Sequence, residues 1–128
     1  MNRVLLDTHA LVWWVEGREK LSKTAREMIE DAETVVLVSA ASAWELAIKS
    51  RLGKFKSREL AEDLDEQILE EGFVALVISI EHALRAGRLD SPHKDPFDRM
   101  LIAQAQVEDV SVISRDPAFD NCAVRRVW

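Results

Sequence analysis

Four acidic residues stand at places where an α/β chain could assemble a site, each far from the others in sequence. Asp7 follows the apolar run Val4-Leu5-Leu6, and Glu45 lies in SAASAWELAIK. Asp98 lies in DPFDRMLIAQA and Asp116 closes Ser114-Arg115-Asp116. An all-carboxylate set is a ligand field for a hard divalent cation, Mg²⁺ or Mn²⁺, rather than for zinc. The histidines, His9, His82 and His93, show no zinc spacing, and Cys122 is the only cysteine. Neither GxxxxGK[ST] nor GxGxxG occurs, which argues against nucleotide binding through a phosphate loop. A carboxylate-held metal without such a loop suits phosphodiester hydrolysis. The metal polarises the phosphate, lowers the pKa of an attacking water and steadies the leaving oxygen.

Each acid also has an ordinary structural explanation. Ser42 and Glu45 are spaced as a capping box, unless the helix begins near Ser39 and puts Glu45 in its second turn. Asp95 is a natural N-cap with Pro96 at the first helical position, and Asp98 then faces the positive end of the helix. Asp116 before Pro117 is an ordinary turn. Four like charges on one edge, however, repel unless something cationic lies between them.

Whether they share an edge depends on the elements that carry them. A strand over Val4–Leu6 leads into a helix from Thr8 to Glu16, stopped by Gly17. A second helix has Thr24 and Glu27 in capping-box register and an apolar stripe of Ala25, Met28, Ile29 and Ala32. Val35–Val38 reads as a strand buried on both faces. A helix then runs from Ala40 through Trp44, Ala47, Ile48 and Leu52 to Gly53. A charged helix is expected from Arg58 to Glu71, a strand from Phe73 to Ile78, and a short helix from Ser79 to Ala86 ended by Gly87. After a polar loop, Asp95-Pro96 opens a helix through Ala105. Val110–Ile113 and Val124–Val127 complete the strands. Strands alternating with helices imply a parallel sheet covered on both faces, a three-layer α/β/α sandwich formed by residues 1–128 as one domain. In right-handed β-α-β units, a helix after a strand starts at the strand's carboxyl edge, and a helix running back to the next strand also starts there. Asp7, Glu45, Asp98 and Asp116 are all predicted at that edge.

Composition sets the outer bounds. The chain has 128 residues, 48% of them hydrophobic and 31% charged, enough for a core without disulfides. A single cysteine, no signal-peptide pattern and no apolar run near the roughly 20 residues of a membrane span lead to a cytoplasmic expectation, with no membrane partner. The net charge of −6 disfavours nucleic-acid binding by bulk charge, yet carboxylates filled with divalent metal become locally cationic.

The segments LLDTHALVWW, SAASAWELAIK, HKDPFDRMLIAQA and SRD together resemble the PIN-domain ribonucleases, and within them the VapC-type toxins of toxin–antitoxin pairs. The resemblance spans nearly the whole chain, and DPFDRMLIAQA is its most specific part. It implies the PIN sandwich, Mg²⁺ or Mn²⁺, and RNA hydrolysis by a water nucleophile that leaves a 5′-phosphate and a 3′-hydroxyl. The family's acidic quartet falls on Asp7, Glu45, Asp98 and Asp116, with Thr8 and Ser114 as supporting hydroxyl residues. Asp7 and Asp98 are expected to carry most of the metal binding. Glu45 would complete the shell or orient the water, and Asp116 would hold a second metal or its water, with these two roles exchangeable. The resemblance also implies two partners, a second copy of the chain and a small antitoxin laid over the site.

The basic stretch Lys49, Arg51, Lys54, Lys56 and Arg58 is the candidate grip on an RNA backbone, or else a solvated face. Arg99 and Arg115 adjoin two of the acids and are further phosphate candidates, or neutralise them. Trp13 and Trp14 are consecutive and cannot both face the core, so one is expected inside and the other at an interface. A receiver-like phosphoryl-accepting domain has similar length and an Asp pocket at the same edge. It needs an acidic pair after the first strand, an acceptor Asp after the third and a Lys after the fifth. Here Asp7 is followed by Thr8, the third strand ends Ile78-Ser79, and no Lys follows the fifth. A non-catalytic PIN-like binding module is the other alternative, against which the complete quartet argues.

Overall fold

A computed structural model of the chain describes residues 2–54, 58–91 and 93–128. The strands are β1 (Asn2–Leu6), β2 (Thr34–Ser39), β3 (Val74–Leu76), β4 (Ser111–Ile113) and β5 (Arg126–Val127). They form one all-parallel sheet in the order β3-β2-β1-β4-β5. The helices are α1 (Thr8–Glu16), α2 (Lys23–Glu30), α3 (Ala40–Arg51), α4 (Arg58–Glu62), α5 (Leu64–Glu70), α6 (Ile80–Arg88) and α7 (Pro96–Glu108). Short 3₁₀ turns at Arg18–Lys20 and Pro117–Asn121 had no signature in the periodicity.

Alternation along the strands builds two cores, one on each face of the sheet. Val4, Leu6, Val36, Val38 and Ile113 pack with residues of α1, α2, α4 and α5. Leu5, Leu37 and Val112 pack on the other face with Ala41, Leu101, Ile102, Ala105 and Phe119. Each buried Val, Leu or Ile among them stabilises the fold by about 1.5–3 kcal/mol through burial. This is the expected three-layer sandwich. No described helix is long and apolar enough to cross a membrane.

Several boundaries differ from the sequence expectation for local reasons. Ser22, not Thr24, caps α2, its side chain accepting from the Ala25 amide, and Ala32 falls in the exposed turn beyond the helix. The helix expected over 58–71 is broken at Asp63, whose backbone (φ −110°, ψ 20°) leaves the helical region. β3 stops at Leu76 because its partner ends there, Ser39 opposite Leu76. Three-residue β4 likewise leaves β5 only Arg126 and Val127 to pair. Gly87 does not stop α6, which runs on to Arg88; one interior glycine costs about 1 kcal/mol and is outweighed by the packing of α6 on α7. Gly72, at φ +71°, does close α5.

The tryptophans separate as well. Trp14 is core, its indole N–H donating to Glu71 Oε2 at 3.0 Å and its ring stacked under Arg18. Trp13 is half-buried between His9 and Trp128, so it is not the exposed member of the set. That is Trp44, 61% exposed and edge-on to Phe97.

Candidate active site

The order of the sheet reverses at β1, from which β2 and β3 lie on one side and β4 and β5 on the other. Ligands of open α/β sheets bind outside the carboxyl ends of strands at such a point. Asp7 sits there, directly after β1, buried, and caps α1 by accepting from the Ala10 amide at 2.8 Å. Asp116 follows β4 on the neighbouring strand, exposed, and caps the 3₁₀ turn through the Ala118 amide. Ser114, fully buried, joins the two. Its hydroxyl bonds the Asp7 carboxylate and accepts from the Asp116 amide at 3.0 Å.

Glu45 arrives from α3. Ser39 is the N-cap of that helix, accepting from the Ala41 amide, so Ser42 and Glu45 form no capping box and Glu45 lies in the second turn. The inward face of α3 is Ala41, Ser42, Glu45, Leu46 and Ser50, while Trp44, Ala47 and Leu52 face solvent. The apolar residues that revealed the helix are thus mostly on its outer side. Thr8 Oγ1 donates to Glu45 Oε1 at 2.5 Å and lies 3.0 Å from Ser42 Oγ. The second Glu45 oxygen accepts from Lys49, one turn on.

Asp98 lies in the first turn of α7, where Asp95 is the cap, its Oδ1 accepting from the Phe97 and Asp98 amides at 2.8 and 3.1 Å. Burial pushes the Asp98 carboxyl up from 3.8 to about 7, and the negative charges of Asp95, Glu45, Asp7 and Asp116 push it the same way. Asp7 is also raised, by burial first, against the opposing pull of its bonds from Ser114 and Ala10. The four acids therefore feel one another, as like charges do when they share a site.

The basic candidates fare unevenly. Lys49 is ion-paired to Glu45 and faces the site rather than solvent. Arg51 and Lys54 are exposed at and beyond the end of α3, and Arg115 is exposed beside Asp116. Lys56 lies outside the described residues, and Arg58 opens α4. Arg99 is engaged with backbone rather than with the acids. Its guanidinium donates to four backbone carbonyls, Ala86 (3.0 Å), Leu89 (2.7 Å), Ser91 (3.4 Å) and His93 (3.0 Å). These bonds tie the end of α6 and the loop after it to α7, while the partly exposed side chain also lines a groove between α3, α6 and α7. Sequence reasoning also passed over His93, whose Nε2 lies 3.4 Å from Asp98 Oδ2. Its position five residues before Asp98, inside the HKDPFDR motif, was the available signal.

A family model described as the PIN domain matches residues 4–124. The chain belongs to the PIN-domain family. Among curated proteins the sequence finds no match. Solved PIN-like structures share the fold at low identity. The VapBC2 complex of Rickettsia felis bound to a promoter DNA fragment superposes with a TM-score of 0.73 at 13% identity, over 98% of this chain and 97% of that one. VapC20 of Mycobacterium tuberculosis, a sarcin-ricin-loop-cleaving toxin, gives 0.71 at 15% identity, over 97% and 98%. A toxin–antitoxin complex from Klebsiella pneumoniae gives 0.68 at 20% identity, over 98% and 96%. In this PIN domain β3 ends without an acidic residue, which removes the receiver-like alternative.

Proposed function

We propose that this PIN domain is a Mg²⁺- or Mn²⁺-dependent endoribonuclease and the toxin of a VapC-like toxin–antitoxin pair, acting in the cytoplasm. One observation carries the reading. Asp98, held on α7, is pushed to about 7 by its burial together with acids from β1, α3 and the end of β4. An edge so overloaded with negative charge suits a divalent cation as the missing counter-charge. The donor set fits that role, being oxygen-rich, partly buried and built on rigid elements.

When bound, the cation would supply Lewis acidity, activating a water and stabilising charge on the scissile phosphate. The chain's own residues do the rest. Asp7 and Asp98 would hold most of the cation, and Glu45 and Asp116 would divide completion of the shell and orientation of the water between them. Thr8 fixes one Glu45 oxygen, and Ser114 fixes Asp7. Lys49 balances Glu45 before the cation arrives. Arg115, Arg51 and Lys54 are the exposed cations available to an RNA backbone.

The partner surface of this reading is lined by Trp44 and Phe97, the sequence neighbours of Glu45 and Asp98. An apolar groove of about 270 Å³ runs between α3, α6 and α7, lined in part by Trp44, Ile78, Ala83, Phe97 and Met100. An antitoxin segment with an apolar anchor there and a Lys or Arg reaching the carboxylates would match both features. A second copy of the chain is the other partner of the reading.

Cleavage-site mapping on cellular RNA tests the proposal, with Asp7→Asn as control. Wild type with Mn²⁺ is expected to give discrete 5′-phosphate ends. The variant should lose more than about 100-fold of that activity, since outer-shell partners of a metal already account for about 10–100-fold. Equal cleavage by both would refute the site, and cleavage by neither would favour a PIN-like binding module.

A further inference from the structure

His93 is held in place more firmly than a surface loop residue requires. Arg99 Nη1 donates to its carbonyl at 3.0 Å, and its amide donates to Ser91 Oγ at 3.2 Å. Its ring packs edge-on to Phe119, with centroids 5.8 Å apart and planes at 60°. The side chain is only 12% exposed. Nε2 is shielded from solvent and makes no hydrogen bond, its polar neighbour being the Asp98 carboxylate, with Oδ2 at 3.4 Å. A ring nitrogen shielded from water and held against a carboxylate without a hydrogen bond is placed to share a cation with it.

That nitrogen faces carboxylates. One ligand atom each from His93, Asp98 and Asp116 lies within 4.8 Å of the others. Donors around one ion at about 2.0–2.2 Å are separated by about 3–4.4 Å, so the three need little adjustment to share one. Asp7 and Glu45 are not in this group. Each is tied to a hydroxyl residue of its own, Asp7 to Ser114 and Glu45 to Thr8.

We propose that His93 ligates, through Nε2, a divalent cation shared with Asp98 and Asp116, and that this mixed nitrogen–oxygen set selects Mn²⁺ over Mg²⁺. Imidazole nitrogen adds affinity for transition ions, whereas Mg²⁺ prefers oxygen donors. The inference rests on the metal-site reading above and narrows it, assigning a ligand outside the acidic quartet. Arg99 is then a positioning residue that presents the loop carrying His93.

The test uses the full chain without RNA, loaded with Mn²⁺ alone and studied by pulsed electron paramagnetic resonance. Nitrogen hyperfine coupling to the bound Mn²⁺ is expected in wild type. Labelling histidine with the heavier nitrogen isotope should change that coupling without any substitution. His93→Ala should abolish it, while His9→Ala, outside the His93–Asp98–Asp116 group, should keep it. By calorimetry His93→Ala should weaken Mn²⁺ binding about tenfold or more and Mg²⁺ binding little. Mn²⁺ bound without nitrogen coupling, or coupling that survives in His93→Ala, would overturn the inference and leave the metal-site reading standing. No Mn²⁺ binding at all would overturn both.

Discussion

Asp98 is the residue at which burial and charge act in one direction, and its protonation has a consequence for stability. The folded chain holds a proton on this carboxyl more tightly than the unfolded chain, about 7 against 3.8. Its contribution to stability is therefore full below about pH 4 and is lost as the pH rises toward 7. In metal-free protein the melting temperature is expected to fall between pH 5 and pH 8, and Asp98→Asn should flatten that fall. At pH 8 the variant should be the more stable protein by about 1–3 kcal/mol, after allowance for solvent screening of a partly exposed group. Calorimetry in the presence of a chelator reads this directly, and an unchanged slope would assign the pH dependence elsewhere. Mn²⁺ should reverse the order by stabilising wild type alone. Cleavage at low metal should rise with pH through about 7 and shift to lower pH as metal increases, because proton and cation compete for the same carboxyl.

At the scale of elements, Arg99 shows what packing decides and pattern does not. Its place beside Asp98 suggested a phosphate contact, but the guanidinium turns back and closes four carbonyls of the segment from Ala86 to His93. Arg99→Lys keeps the charge but loses the planar fork, so a loss of about 2–4 kcal/mol is expected in urea unfolding. Hydrogen exchange should quicken in residues 89–94, and a loss under about 0.5 kcal/mol would show that the carbonyls find other donors. The same contrast marks what was legible in the sequence. Strand-then-helix order placed Asp7, Glu45, Asp98 and Asp116 at one edge without any knowledge of contacts, because chain direction alone fixes which end of a helix lies there. The Glu45–Lys49 pair had an i,i+4 spacing to announce it, yet Lys49 was counted with the basic stretch instead. The inward face of α3 was not, since its buried residues are largely polar and the hydrophobic period follows Trp44 and Leu52 outward. Strand ends were set by the length of the partner strand, which no local signal carries.

Over the whole molecule, a net charge of −6 and a substrate that is itself an anion must be reconciled. The proposed resolution is spatial, with acids gathered at the switch in the sheet, Arg115 exposed beside Asp116, and Arg51 and Lys54 exposed at and beyond the end of α3. Arg51→Glu with Lys54→Glu should weaken binding to single-stranded RNA and reduce the slope of log affinity on log salt by about 0.7 for each phosphate no longer neutralised. An unchanged slope in filter binding would remove these two residues from the interface.

The edge strand β3 bears on how this protein must be handled. Val74 is 47% exposed and Val77 72%, and Ile80 a little further on is 80% exposed. Among the described residues the strand's outer side has no partner strand in the sheet. Such a margin invites backbone pairing between molecules, which natural sheets discourage with lysine or proline. Concentrated samples should therefore turn cloudy on warming before the core melts. Val77→Lys, which keeps the carbonyl used by Gln104, should raise the temperature at which light scattering begins while the calorimetric midpoint stays in place. A shelf-stable preparation of the isolated chain would come from charging this margin, two strands and about 10 Å from the strand that ends in Asp7.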